Sequence, residues 1–225
     1  MSESKTTQLP TLAILGGTGK EGPGLALRWA KAGYPVIIGS RLVERATDTA
    51  DELNAILGVN TIRGMENSRA ARLAQICVLT VLFTAHQAAL ESLIQDLQGK
   101  ILVDATARVD FRNPLPPAPP SAGRMAQEIL GPGVRVVAAF QNVPAHALRK
   151  NLGEALDLDV LICSDDIAAA EEIIPLAHAA GMRGYFAGGL DNAVVVEGIT
   201  SLLISLNKHY KVKTASIAIT GLQME

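Results

Sequence analysis

Between the apolar run Leu12–Leu15 and a segment where Leu25, Leu27, Trp29 and Ala32 follow a helical pattern, the chain reads Gly16-Gly-Thr-Gly-Lys-Glu-Gly22. A turn this rich in glycine, joining a strand to a helix, leaves few folds open. The spacing Gly17-x-Gly19-x-x-Gly22 is the dinucleotide fingerprint, and the flanking strand and helix supply the context that gives the bare pattern its meaning. Gly17 permits the tight turn, Gly19 removes a side chain that would hold a pyrophosphate off the backbone, and Gly22 lets helix and sheet approach closely. The helix N-terminus then offers unpaired N–H groups and the positive end of its dipole to a phosphate. An ordinary glycine-rich turn would share the spacing, so the segments that follow must decide.

They continue the alternation. Tyr34–Ile38 reads as a strand, Glu44–Leu57 as a helix, then Ser68–Gln75 helix, Ile76–Leu82 strand, His86–Leu97 helix and Lys100–Ala105 strand. Strands alternating with helices imply a parallel sheet covered on both faces. The rhythm breaks at Asn113-Pro-Leu-Pro-Pro-Ala-Pro-Pro-Ser121, where five prolines exclude both helix interior and central strand. This stiff loop leads into a helix capped by Ser121. After it come strand Val134–Phe140, a bridging segment 142–156, strand Leu158–Cys163, helix Asp166–Ala180 with an acidic first turn, strand Arg183–Ala187 and an apolar helix Asn192–Leu206. The pattern predicts an α/β, Rossmann-type doubly wound parallel sheet over residues 9–150, with a smaller C-terminal α/β unit over 151–225. Aromatic residues make up only 4% of the chain, so Ala, Val, Ile and Leu must fill the core, as such sheets do.

The second strand ends in Gly39-Ser40-Arg41. An NAD site usually has Asp or Glu there for the ribose hydroxyls. Without that acid a 2′-phosphate is not repelled; Ser40 can donate to it, Arg41 can pair and stack with it, and Arg45, one helical turn on, adds a second cation. NADP is therefore expected over NAD. The Tyr-x-x-x-Lys pair of short-chain dehydrogenases is absent, since Tyr34, Tyr185 and Tyr210 are followed by Ile38, Gly189 and Thr214.

Charge and composition narrow the remaining classes. Lys plus Arg number 20 against 22 Asp plus Glu, a net charge of −2, which disfavours a phosphate-backbone binder, so no nucleic-acid partner is expected. Cys77 and Cys163 sit within apolar runs at no metal or redox spacing and read as buried thiols. The four histidines show no ligand spacing, and no metal is expected. The polar start Met1–Thr7 is unlike a signal peptide, and no uncharged apolar run reaches the roughly 18 residues of a membrane span. The expectation is a soluble cytoplasmic protein without a membrane partner.

The segment Leu15-Gly-Gly-Thr-Gly-Lys-Glu-Gly-Pro-Gly-Leu-Ala-Leu27, followed by Gly39-Ser-Arg41, resembles the NADPH-dependent reductases of the 8-hydroxy-5-deazaflavin coenzyme F420. The likeness continues through Ile62–Met65, Leu79-Thr80, Lys100–Val103, the helix near Ser121–Leu130, Val136–Ala145, Cys163–Asp166 and the last helix, covering nearly the whole chain. It implies hydride transfer between NADP(H) and the deazaflavin by a homo-oligomer. Position by position, the resemblance puts Gly17, Thr18, Gly19, Lys20, Glu21 and Gly22 at the pyrophosphate, Ser40, Arg41 and Arg45 at the 2′-phosphate, and Val81, His86, Ala107 and Ala145 at the nicotinamide half. The chain departs from the family pattern at Leu42, Leu82, Gln141 and the Pro114–Pro120 loop.

Hydride transfer between two rings asks the protein for stacking and orientation more than for acid–base groups, so no catalytic acid is assigned. His86 reads either as a nicotinamide neighbour or as a helix cap or surface residue. Phe83 and Phe140 are the aromatic side chains expected near the acceptor, and two at most of Arg108, Arg112, Arg124, Arg149 and Lys150 are expected to meet its acidic tail. Two other readings remain open: an NADPH-dependent reductase of a flavin or ferric acceptor, and a non-catalytic NADP-binding sensor.

Overall fold

Every residue of β1 (Leu12–Leu15) is buried, because the strand is flanked on both edges and covered on both faces. In the computed structural model, which describes residues 9–222, six parallel strands form one sheet in the order β3-β2-β1-β4-β5-β6. The N-terminal stretch Met1–Thr7 lies outside the described residues. The elements are β1, α1 (Gly22–Lys31), β2 (Val36–Ser40), α2 (Val43–Leu57), β3 (Arg63–Glu66), α3 (Asn67–Leu73), β4 (Ile76–Leu79), α4 (Phe83–Glu91), α5 (Ile94–Leu97), β5 (Ile101–Asp104), α6 (Ala122–Leu130) and β6 (Arg135–Ala138). The order reverses beside β1, which is the doubly wound arrangement.

Alternation along the strands divides the core in two. Leu12, Ile14, Ile76, Val78, Ile101 and Val103 face a cluster with Leu25 and Trp29 of α1 and Leu53 of α2. Ala13, Leu15, Cys77, Leu79 and Leu102 face the other, with Ala70 and Ala71 of α3, Leu90 of α4 and Ala126 of α6. Cys77 is thus a small apolar core residue, and burial pushes its thiol up to about 12.

The predicted strands fall where the apolar runs are, with ends shifted by a few residues. Two differences are larger. The segment expected as one helix, His86–Leu97, is two: α4 begins at Phe83, and the short α5 follows a break at Ser92-Leu93. β3 has no apolar run to announce it; its Gly64 is required because a Cβ there would lie 2.4 Å from the backbone of Ala46 and Thr47 in α2.

Beyond β6 come α7 (Ala145–Leu148), β7 (Asp159–Ile162), α8 (Ile167–Ala179), β8 (Arg183–Phe186) and α9 (Ala193–Tyr210). β7 and β8 make a parallel pair, and the reciprocal bonds between Ala138 and Cys163, 2.8 and 2.9 Å, tie that pair antiparallel to the end of β6. Asp166, expected to act through charge in the first turn of α8, is its N-cap, accepting from Ala169 N–H at 3.0 Å. Ser121 caps α6 in the same way, as predicted, accepting from Arg124 N–H.

Two side chains of α1 bind this unit to the main sheet. Arg28 is buried and donates to the carbonyls of Leu148, Lys150, Glu154 and Ala180. Trp29 donates to Leu176 O at 2.8 Å and meets Phe140 edge to face. Phe140 is therefore a core residue and not an acceptor contact. Leu190–Tyr210 is long and apolar enough to span a membrane by length and composition, yet α9 packs on the body through buried Val196, Glu197, Ser201 and Leu203.

Candidate functional site

The glycine turn stands over the carboxyl ends of β1 and β4, the crevice where sheets of this kind take ligands. Gly16 has φ +71° and donates to Asn67 Oδ1, while Gly17 donates to Gly39 O at 2.9 Å. A Cβ on Gly17 would sit 2.6 Å from Ile14 O, and one on Gly22 would sit 2.8 Å from Gly17 Cα. Those two glycines are demanded by the protein's own packing. Gly19 is not: it has no positive φ, and a Cβ there would meet nothing nearer than 4.0 Å. Among the described residues, the backbone N–H groups of Thr18, Gly19 and Lys20 also find no protein acceptor. An exposed glycine without an internal reason, beside unpaired N–H groups at a helix start, fits the approach of a pyrophosphate.

On the β2 side, Ser40 is buried and its Oγ accepts from Leu42 N–H, holding the strand end in a tight turn. Arg41 and Arg45 are exposed, and among the described residues neither has an ion-pair partner. Cations in that state suit a doubly charged phosphate.

On the opposite side, Val81, Ala107 and Ala145 are half-buried, at the end of β4, beyond β5 and at the start of α7. α7 is held near the turn because Leu148 packs against Gly24, where a Cβ would come within 2.6 Å of Leu148 Cβ. His86 is neither a helix cap nor a surface residue. It is wholly buried inside α4, and its Nε2 donates to Asp104 Oδ2 at 2.7 Å, the carboxylate being able only to accept. Asp104 Oδ1 accepts from Thr106 N–H at 3.0 Å. His86 Nδ1 and Thr106 Oγ are buried without a protein partner. Buried polar atoms left without a partner are uncommon in folded proteins, which singles this group out.

Glu21, at the N-cap of α1, joins this group. The residue as a whole is half-buried, but its Oε1 is enclosed and has no partner. Burial, and secondarily the charge of Asp104, pushes its carboxyl up to about 8. Sequence reasoning placed Glu21 at the turn but missed its burial and the nearby charge of Asp104. The available signal was an acid ending the otherwise apolar strand Ile-Leu-Val-Asp104, next to Thr106.

The remaining candidates separate. Phe83 is partly exposed, 5.8 Å from the His86 ring, with the Arg108 guanidinium 5.9 Å from its centroid. Arg108 also pairs with the buried Glu197 at 3.0 Å. Arg124 is taken up by Asp165 and Asp191, and Arg149 by Glu52. Arg112 and Lys150 are exposed, as are His146, His178 and His209. Among the described residues no group of three His, Cys, Asp or Glu side chains is arranged to hold a metal ion.

Residues 11–108 match the family described as NADP oxidoreductase, coenzyme F420-dependent. The chain is 40% identical to the F420-dependent NADP reductase of Methanothermobacter thermautotrophicus, covering 94% of this chain and 95% of the relative. It is 39% identical to the enzyme of that name from Methanocaldococcus jannaschii, covering 95% and 99%. A crystal structure described as a putative F420-dependent NADP-reductase from Arthrobacter superimposes with a TM-score of 0.79 at 25% identity, over 94% of this chain and all of that one. Matched to such relatives along almost its entire length, the chain belongs to the F420-dependent NADP reductase family.

Proposed function

We propose that this protein transfers a hydride between NADP(H) and the deazaflavin coenzyme F420. The observation that carries the nucleotide half is Gly19, open to solvent where the chain's own packing does not need a glycine, with Arg41 and Arg45 exposed and unpaired at the neighbouring strand end. In this reading the turn 17–22 holds the pyrophosphate, Ser40, Arg41 and Arg45 hold the 2′-phosphate, and Val81, Ala107 and Ala145 border the nicotinamide. His86 acts behind that border by fixing Asp104. Residues 9–150 then carry the nucleotide, and 151–225 close the acceptor side. The bound nicotinamide supplies or accepts the hydride; the protein's share is orientation and exclusion of water.

We read the protein as a homo-oligomer, supported by the apolar side chains that α9 leaves exposed, Val195, Leu202 and Tyr210.

Mixing the protein with NADPH and oxidised deazaflavin should bleach the deazaflavin's visible absorbance. Turnover with FMN or a ferric chelate in its place, and none with the deazaflavin, would replace this reading with the flavin or ferric one. Tight NADPH binding with no acceptor consumed would indicate a sensor. Arg41→Asp should weaken NADPH binding at least about tenfold more than NADH binding, by loss of a charge-assisted pair and gain of repulsion. Equal losses would refute the assignment of Arg41 to the 2′-phosphate.

A further inference from the structure

The sheet order puts β2 and β3 on one side of β1 and β4, β5 and β6 on the other. A dinucleotide crossing the glycine turn with its 2′-phosphate at Arg41 therefore lays its nicotinamide over the ends of β4 and β5. Three titratable side chains are gathered there from three elements: Glu21 from the start of α1, His86 from α4 and Asp104 from the end of β5. His86 Nε2 pairs with Asp104, leaving His86 Nδ1 without a protein partner. Glu21 is left over, its enclosed Oε1 making no bond to the protein.

We propose that Glu21 is a charge-compensating group for the nicotinamide, holding its proton while the ring is reduced and neutral and releasing it to solvent when the ring is oxidised and positive. The inference rests on the NADP reading above. The balance is simple. A hydride removes two electrons and one proton from C4 of the reduced ring, which is left with one positive charge; loss of one proton from Glu21 leaves the charge of the pocket unchanged. The deazaflavin that accepts the hydride also takes up a proton, so the proton lost at Glu21 offsets one taken from the medium.

The surroundings of Glu21 support this. Lys20 beside it is exposed, Arg108 beyond β5 is engaged by Glu197, Arg28 on α1 is turned to the C-terminal unit, and His86 is held by Asp104. Asp104 is the charged neighbour that bears on Glu21, and it opposes ionisation, as does burial. With both acting the same way, Glu21 is protonated at neutral pH, and a cation arriving beside it is what would release the proton. A neutral carboxyl next to the turn also avoids repelling the pyrophosphate.

The test needs no turnover. NADP+ and NADPH carry the same phosphates, so the ratio of their affinities isolates the ring. For the native protein, the affinity for NADP+ relative to NADPH should rise with pH by up to about tenfold per unit through neutrality, the limit for one linked proton. Titration calorimetry in two buffers of different ionisation enthalpy should detect up to one proton released on binding NADP+ and none on binding NADPH. In Glu21→Gln the ratio should be flat with pH and the release absent, with NADPH still bound. A flat ratio in the native protein, or the same proton release in Glu21→Gln, would overturn the role of Glu21 while leaving the NADP reading intact. Failure of the native protein to bind either nucleotide would overturn both.

Discussion

Glu21 also makes a statement about the protein without ligand. A carboxyl raised from an ordinary 4.5 to about 8 binds a proton in the folded chain that it has lost in the unfolded one across that interval. Stability due to this group is therefore intact below pH 4.5 and falls as pH rises towards 8, by a few kcal/mol at about 1.4 kcal/mol per unit. Glu21→Gln removes the dependence. Thermal melts should show the variant equal to the native protein near pH 5 and more stable at pH 8.5, whereas parallel curves would mean that Glu21 is solvated. Sequence alone could place Glu21 in the turn but could not foresee this, because the effect comes first from burial and then from the charge of Asp104, 83 positions away and brought near only by the fold. The packing roles of Gly17 and Gly22 were legible because they are local. His86 was not, since a histidine early in an apolar helix looks the same whether it faces solvent or a buried aspartate.

Among the elements, the legible ones were those with a continuous apolar run, β1, β2, β4, β5 and β6, because a strand buried on both faces has no other composition open to it. The edge strand β3, with Arg63 and Glu66, lacks that signature and is held by pairing with β2 and contact with α2. Illegible too was the way α9 is fixed. Its buried Glu197 accepts from Ala122 N–H at the start of α6, at 2.7 Å, and from the backbone and side chain of Arg108, so one carboxylate caps a helix and anchors the loop before it. Burial raises this carboxyl in spite of those donors. Glu197→Ala should cost about 3 kcal/mol by leaving Arg108 and a helix N–H unpaired, and should expose the Asp110–Pro117 loop to protease. Urea unfolding together with limited proteolysis checks both, and a loss under 1 kcal/mol with the loop still protected would show that the other contacts to α9, such as Ser201 Oγ donating to Leu115 O, hold the proline tract.

For the whole molecule, the junction between the main sheet and the C-terminal pair is polar as well as apolar. Two backbone bonds at Ala138 and Cys163 continue the sheet, and the buried guanidinium of Arg28 reaches four carbonyls spread over residues 148–180. Arg28→Met should destabilise the protein by about 3–5 kcal/mol, since several buried carbonyls lose a charged donor together. Arg28→Lys should restore little of that loss, because an ammonium lacks the planar fork. Chemical denaturation of the two variants decides, and recovery of native stability by Lys would mean that charge alone matters there. The same contact orders events in time. Arg28 is made 152 positions before the carbonyl of Ala180, so α1 waits as an incomplete element until the segment 148–180 follows it. The helix that offers its N-terminus to the nucleotide is thus completed at its other end by the segment 148–180, and phosphate-binding competence should mature only once that segment has folded onto it.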